Sequence, residues 1–333
     1  MYIIAEIAQA HDGSLGIAHS YIDALAGTGL HAVKFQTHIA DAESSAYEPF
    51  RIKFSYEDAT RFDYWKRMEF TPEQWAGIKL HCEDKDLEFI SSPFSCAAVD
   101  LLENLEVKKY KIGSGEVSNL LMLEKIAKTG KEIILSSGMS SLSELDETID
   151  FLKPFGNKIS VLQCTTAYPT VAGQWGLNMI PVLKERYHLP TGFSDHSGDI
   201  FACLAATALG AELLEFHAVF DQKMFGPDAR ASLTINQVSQ LVQGVNAIKT
   251  DIESKLNKDS SDSFNEVKKI FQKSLAVNKD LAAGHVIGFD DLEAKKPAGQ
   301  GIDARDFKKI IGKALKQNKS AQDFLQKTDF DQL

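Results

Sequence analysis

Residues 88–137 read EFISSPFSCAAVDLLENLEVKKYKIGSGEVSNLLMLEKIAKTGKEIILSS. Three short apolar runs stand out in this stretch: Glu88–Ser92, Lys109–Ser114 and Glu132–Ser137. Each is rich in Ile, Phe, Tyr or Leu, as a strand buried on both faces requires. Between them, Cys96–Glu103 and Leu121–Thr129 space their apolar residues as amphipathic helices do. Strands alternating with helices pair in parallel, because each crossover helix returns the chain to the same end of the sheet. The alternation extends outward to Tyr2–Ala8 and Ala32–Thr37 on one side, and to Ile159–Thr165, Thr191–Ser194 and Leu213–Val219 on the other. Helical stretches over Ile17–Leu25, Pro72–Lys85, Leu142–Leu152 and Ile200–Leu209 lie between them. Eight such units in about 220 residues predict a closed (β/α)8 TIM barrel rather than an open α/β sheet.

Two stretches depart from the alternation. From His38 to Phe70 aromatic and charged residues mix without a clean period, which is long for a connection and suggests a functional loop or lid. After the eighth run, Ile235–Leu256 reads as a helix, and the polar Asn257–Asn265 with its Ser/Asp cluster reads as the start of a linker. The expected organisation is a barrel over 1–256, a linker over 257–272 and a small module over 273–333, with a helix from Ala304 to about Leu315.

With 44% hydrophobic and 25% charged residues, the 333-residue chain has apolar material for a large core. A net charge of −10 argues against a nucleic-acid surface, so an anionic ligand would need a local cluster of cations. Cys82, Cys96, Cys164 and Cys203 show neither CxxC spacing nor a disulfide framework, which suits a reducing cytoplasm. The N-terminus has no basic region and carries Glu6, unlike a signal peptide. The longest apolar stretch, Ile200–Leu214, is broken by Glu212 and too short to span a bilayer, so a soluble cytoplasmic protein with no membrane partner is expected.

Polar residues gather at the C-terminal edges of the runs. They are Glu6; Lys34 and Gln36; Ser91 and Ser92; Lys111, Ser114 and Glu116; Ser136 and Ser137; Thr165, Thr166 and Tyr168; Ser194, Asp195 and His196; and Glu215 and His217. In a (β/α)8 barrel these edges meet on one face, where active sites lie, and burying such groups without partners costs several kcal/mol each, on the order of 2–7. Lys34 and Lys111 sit inside strand-like runs, where an idle ammonium is disfavoured, and so read as anion-binding rather than surface lysines. Gly113-Ser114-Gly115 and Ser136-Ser137-Gly138 add amides and hydroxyls that cradle phosphate. His196 and His217 end adjacent strands, so their rings can either meet one metal ion or serve as hydrogen-bonded core residues. His11 either contacts substrate or caps its loop, and His19, His31, His81 and His188 read as surface residues. Glu6, Glu116 and Asp228 are either functional carboxylates or neutralising partners of nearby cations, Lys111 in the case of Glu116; Asp228 also suits a plain turn.

In order along the chain stand Ile4-Ala-Glu-Ile with His11-Asp-Gly, Lys34-Phe-Gln, Ser92-Pro-Phe, Lys111-Ile-Gly-Ser-Gly-Glu116 and Ser136-Ser-Gly-Met. Gln163-Cys-Thr-Thr-Ala-Tyr-Pro169, Gly192-Phe-Ser-Asp-His196, Glu215-Phe-His217 and Gly226-Pro-Asp228 follow. This set resembles the N-acetylneuraminate (sialic acid) synthases and their legionaminate, pseudaminate and spore-coat polysaccharide relatives over almost the full length. The final module resembles their antifreeze-like (SAF, β-clip) domain. The resemblance implies condensation of phosphoenolpyruvate with an N-acyl amino-hexose, such as N-acetylmannosamine or a deoxy-diacetamido sugar, giving a nonulosonic acid and phosphate.

It further implies a divalent ion, manganese or magnesium, on His196 and His217. Lys34, Lys111, Ser114, Ser136 and Ser194 would hold phosphoenolpyruvate, and Gln36, Ser92 and Glu116 would complete that pocket, Glu116 as a proton carrier. Glu6, Tyr168 and Asp228 would grip the sugar, and Thr166 stands where many members have Asn or Thr. The resemblance also implies a domain-swapped homodimer in which an Arg-Pro-Gly turn of the final module contacts the N-acyl group. Here that turn reads Lys295-Lys-Pro-Ala-Gly-Gln-Gly301, with Lys296 in place of the Arg. Lys lacks the planar fork of Arg. Gln9-Ala10-His11 likewise departs from the usual Asn before the His.

Two other readings compete. A metal-dependent barrel hydrolase commonly needs His-x-His on the first strand, and only His11 lies near it. A catalytically silent sugar-binding or assembly protein on the same fold would have no use for the complete set of phosphate-binding residues.

Overall fold

The computed structural model describes residues 1–52, 54–254 and 257–331. Eight parallel strands close on themselves: β1 (Tyr2–Glu6), β2 (Ala32–Thr37), β3 (Glu88–Pro93), β4 (Lys109–Ile112), β5 (Glu132–Ser136), β6 (Ile159–Cys164), β7 (Thr191–Asp195) and β8 (Leu213–Val219). Each pairs with the next, and β1 pairs with β8, so the barrel has no open edge. A two-residue strand, β9 (Leu233–Thr234), extends β8.

Helices α1 (Leu15–Leu25), α2 (Ala40–Glu43), α3 (Arg61–Met68), α4 (Pro72–Asp84), α5 (Cys96–Asn104) and α6 (Leu120–Ala127) return the chain through the first half of the barrel. Helices α7 (Leu142–Leu152), α8 (Met179–Tyr187), α9 (Phe201–Ala208) and α10 (Ile235–Glu253) do so through the second half. Their starts follow local chemistry: Thr71, Ser141 and Thr234 each close a capping box, and Pro72 opens α4. No helix among the described residues is long and apolar enough to cross a membrane.

The period-2 alternation of strand side chains explains both the core and the site. One face of the strands packs outward against the helices, through Ile3, Ala5, Val33, Phe35, Ile133, Leu135, Phe193 and Phe216. The other face fills the barrel. Its N-terminal half is an apolar plug of Ile4, Ala32, Ile90, Ile134, Leu162 and Leu213. Two residues further along the same faces stand Glu6, Lys34, Ser92, Ser136, Cys164 and Glu215. At Gly192 a Cβ would collide with the Leu162 and Leu213 side chains, so the missing side chain gives this plug its room.

The stretch after β2 folds rather than staying irregular. Ala40, Tyr64, Trp65 and Met68 form a small core of their own, with Phe50, Phe54 and Phe62 packed on it. Arg67 ties this insert down: it donates to both carboxylate oxygens of Asp58, and its Nη1 donates to Asp12 Oδ1 at 2.6 Å.

A second compact unit lies within residues 255–333. Strands β10 (Ser274–Val277) and β11 (Leu292–Lys295) pair antiparallel over a core that includes Leu275, Val277, Ile287, Ile310, Leu325 and Phe330. The buried Asp329 carboxylate accepts from Lys319 at 2.6 Å and Gln317 at 2.6 Å. Two expectations change here. The stretch expected to be linker holds a helix, α11 (Asn265–Phe271). The helix expected from Ala304 to Leu315 is only a 3-10 turn over Ala304–Lys309, because Gly312 takes a left-handed φ of 82° and Ala314 bridges to Val286 instead.

Candidate active site at the C-terminal mouth of the barrel

Register brings the polar residues together. Glu6 is paired with Lys34 on one side and His217 on the other, Gln36 lies opposite Ser92, and Ser194 opposite Glu215. These side chains line one cavity of about 250 Å³ at the barrel mouth. Of the residues expected from the sequence, Glu6, Lys34, Gln36, Ser92, Lys111, Ser114, Ser136, Thr166, Tyr168, Ser194, His196, His217 and Asp228 all line it.

At the floor two ammoniums meet two carboxylates. Lys34 Nζ lies 2.5 Å from Glu6 Oε1 and 3.9 Å from Glu215 Oε1. Lys111 Nζ lies 3.3 Å from that same Glu215 oxygen and donates to Ser136 Oγ at 2.7 Å. Lys34 also donates to Ser92 Oγ at 3.3 Å, and Ser194 Oγ to Glu215 Oε1 at 3.2 Å. All four charged groups are buried, which is tolerable only because the charges balance and hydroxyls complete their bonding. The balance is incomplete at one atom: Glu215 Oε2 is buried and has no hydrogen-bond partner among the described residues. Burial pushes the Glu6 carboxyl up, but Lys34, His217 and Lys111 outweigh it and hold the group at about 2.

The two imidazoles form one wall, with ring centroids 5.3 Å apart. His196 Nδ1 lies 2.9 Å from the Thr165 carbonyl oxygen. A carbonyl only accepts, so Nδ1 carries a proton; burial lowers the His196 pKa, but Cys164 and the Thr165 carbonyl outweigh it and raise the group to about 9. Burial lowers the pKa of His217 against the opposing pull of Glu6, which favours the neutral ring a metal requires. Tyr168 packs against His196 with ring centroids 4.1 Å apart and planes tilted by 31°, and burial keeps its hydroxyl protonated. No group of three or more His, Cys, Asp or Glu side chains among the described residues is arranged as a metal cage. His196 and His217 are the two imidazoles at the mouth that a divalent ion could share, one fewer than the three protein ligands usual at a catalytic zinc.

Glu116 stands apart from this lining. It sits on the turn Ser114–Glu116, accepts from Asn119 Nδ2 at 2.8 Å, and is raised in pKa by burial. The partner of Lys111 is Glu215, not Glu116. His11 caps its loop: Nδ1 accepts from Gly13 N at 3.1 Å, and the ring packs on Phe70. Lys296 belongs to the second unit, where its ammonium lies 4.9 Å from the Phe271 ring centre.

Lining residues that were not assigned a role from the sequence include Arg51, Arg61, Trp65, Cys164 and Glu215. The first three come from the insert after β2, whose unusual length was the signal. Glu215 was visible as a charge inside a buried run. Cys164 carried no signal beyond its strand-end position. His38, also unassigned, is held between Trp65 and Phe94, with Nδ1 2.6 Å from Glu43 and Nε2 3.1 Å from Gln36 Oε1.

The profile of the NeuB family matches residues 21–257, more than half of the chain. The chain belongs to the NeuB family. An SAF domain matches residues 272–331, so this NeuB-family barrel is followed by an antifreeze-like module. The chain is 34% identical to an N,N'-diacetyllegionaminic acid synthase of Campylobacter jejuni, over 95% of this chain and 96% of the relative. It is 32% identical to the enzyme of the same name from Legionella pneumophila, over 96% of this chain and 92% of the relative. A crystal structure of N-acetylneuraminic acid (sialic acid) synthetase from Leptospira borgpetersenii, in complex with citrate, superposes with a TM-score of 0.69 at 28% identity. That match covers 80% of this chain and 89% of the other.

Proposed function

We propose that this NeuB-family barrel condenses phosphoenolpyruvate with the open-chain form of an N-acyl amino-hexose, releasing phosphate and a nonulosonic acid. The observation that carries the reading is the convergence of buried Lys34 and Lys111 at the floor and of buried His196 and His217 on one wall of a single cavity at the barrel mouth.

Phosphoenolpyruvate brings a phosphate and a carboxylate. Lys34 and Lys111, with the Ser92, Ser136 and Ser194 hydroxyls beside them, supply charge-assisted donors for both groups. The Gly113–Gly115 turn and Gly138 place backbone close to the same spot; at Gly138 a Cβ would strike Ser114 Oγ and Thr166 Oγ1. His196 and His217 would hold a divalent ion, manganese or magnesium, which supplies Lewis-acid polarisation of the aldehyde oxygen when bound. The methylene carbon of phosphoenolpyruvate forms the new bond to the aldehyde carbon. Water adds at the neighbouring cationic carbon, and phosphate leaves by cleavage of its C–O bond. The Glu6 and Glu215 carboxyl groups, set beside the two ammoniums, stabilise that developing positive charge. Glu6, Tyr168 and Asp228 orient the sugar. On this proposal the protein works in the cytoplasm as a homodimer, with Lys296 of the antifreeze-like module at the position where the resemblance implies an Arg.

The test is phosphate release from phosphoenolpyruvate with manganese and a panel of N-acyl hexosamines. Release with at least one acceptor is expected; sugar uptake without any release would overturn the synthase reading. His217→Ala is expected to abolish metal-dependent turnover while circular dichroism stays native, and full activity in that variant would remove the metal assignment.

A further inference from the structure

His38 lies just outside the cavity, and every edge of its ring is engaged. Trp65 of α3 packs on one face and Phe94, after β3, on the other, both stacked, with ring centroids 3.9 and 4.5 Å away. Nδ1 lies 2.6 Å from Glu43 Oε1 on α2. Nε2 lies 3.1 Å from Gln36 Oε1 and 3.0 Å from Gln9 Nε2. The His38 and Glu43 side chains are 3% and 7% exposed, so their contact is made away from water and is not a surface ion pair.

A ring that only filled the space between two aromatics would need no nitrogens. Both of these are directed, and the contacts lead from the insert to the floor of the site. Gln36 donates from Nε2 to Glu6 Oε1 at 2.7 Å. A carboxylate accepts and cannot donate, so the Gln36 amide must keep its nitrogen on that side and its oxygen on the other. That oxygen meets the Gln9 amide nitrogen and the Nε2 edge of His38. A half-turn of the amide would set oxygen against oxygen at Glu6, and nitrogen against nitrogen at Gln9. Gln9 reaches this spot because the chain turns directly after β1: Ala8 takes a left-handed φ of 47°, and Ala10 N–H donates to the Ile7 carbonyl at 2.9 Å. The Glu6 oxygen that Gln36 engages also lies 2.5 Å from Lys34 Nζ, and the other Glu6 oxygen lies 3.6 Å from His217 Nε2. The amide thus fixes the plane of a carboxylate that stands between an ammonium of the floor and an imidazole of the wall.

We infer that His38 is a positioning residue: braced by Glu43, it holds the Gln36 carboxamide in the one orientation that keeps Glu6 aimed between Lys34 and His217. His38 does not itself line the cavity, so it acts through Gln36. This rests on the condensation reading above and deepens it, by naming how the insert after β2 sets a carboxylate at the reacting centre.

The experiment uses the full-length, metal-loaded protein with phosphoenolpyruvate and an acceptor that the wild type turns over. Four forms are compared: wild type, His38→Phe, Gln36→Leu and the double variant. His38→Phe keeps a flat ring between Trp65 and Phe94 and removes only the nitrogens. It is expected to lower kcat about 10- to 100-fold, the size of a hydrogen bond to a charged group, with KM for phosphoenolpyruvate within about 3-fold of wild type. Gln36→Leu is expected to lower kcat to a similar degree. The double variant is expected to fall no more than about 3-fold below Gln36→Leu alone, because both changes remove the same contact. Penalties that multiply in the double variant, or wild-type kcat in His38→Phe, would overturn the inference and leave the synthase reading standing. Circular dichroism checks the fold of each form. Should His38→Phe not fold, Glu43→Met takes its place in the same cycle: it leaves the imidazole and removes its brace, and penalties that fail to multiply with Gln36→Leu are again expected. If no acceptor gives phosphate with the wild type, the synthase reading falls and this inference falls with it.

Discussion

At the scale of single residues, the site is a problem in burying charge. Lys34, Lys111, Glu6 and Glu215 are all nearly inaccessible, and each is acceptable only because the others are present. Removing one member should therefore do two separable things. Lys111→Met is expected to cost about 3 kcal/mol of stability, because Glu215 loses its nearest cation in a buried setting. Adding Glu215→Gln should recover much of that loss, since the orphaned charge is gone. Turnover should stay low in both variants, because the phosphate end has lost a donor. Urea denaturation beside phosphate-release assays checks this. If the double variant is as unstable as the single one, Glu215 and Lys111 are not the coupled pair their 3.3 Å separation implies.

At the scale of elements, the insert after β2 supplies part of the lining of the barrel mouth, and its order depends on one arginine. Arg67 holds Asp58 through both carboxylate oxygens and reaches Asp12 in the loop after β1. The Arg67 guanidinium depresses the Asp58 pKa, against a smaller opposing effect of burial. A carboxyl depressed in the folded state stabilises the insert above its unfolded value of about 3.9 and loses that contribution as pH falls below it. The insert is thus expected to loosen below about pH 4, reported by the fluorescence of Trp65 on α3 against a Trp65→Phe control. In Asp58→Asn the loosening should already be present at neutral pH, and the acid step should shrink. An unchanged acid step in that variant would mean that other carboxylates hold the insert.

At the scale of the whole molecule, the chain carries two hydrophobic cores in two compact units. Residues 257–263, between the two cores, are polar and exposed, and α11 buries none of its side chains. Limited proteolysis is expected to cut first within 257–272 and to leave a folded barrel fragment close to residues 1–254. First cleavage inside the barrel would contradict the division. Such a fragment would keep Arg51 and Asp228 together with every other cavity-lining residue, all of which lie in the first unit.

Much of this was legible in the chain itself. Short apolar runs alternating with helical stretches specify a parallel barrel, because each run is long enough only for a strand and each gap only for a crossover. The same period-2 pattern placed Lys34, Ser92, Ser136, His217 and the rest at the mouth, since polar residues two positions beyond apolar ones share their face. What the sequence could not decide was pairing. Whether Lys111 meets Glu116 or Glu215 depends on barrel register and on the turn that carries Glu116 away, and neither is encoded locally. The places of Arg51, Arg61 and Trp65 in the cavity lining were hidden for a similar reason: an aperiodic insert carries no direction until it packs on its own aromatic core. Local pattern determines which elements form and which face each side chain takes. Closure of the barrel and docking of the insert determine which distant charges become neighbours, because Coulomb and hydrogen-bond energies depend on separation in space and not along the chain.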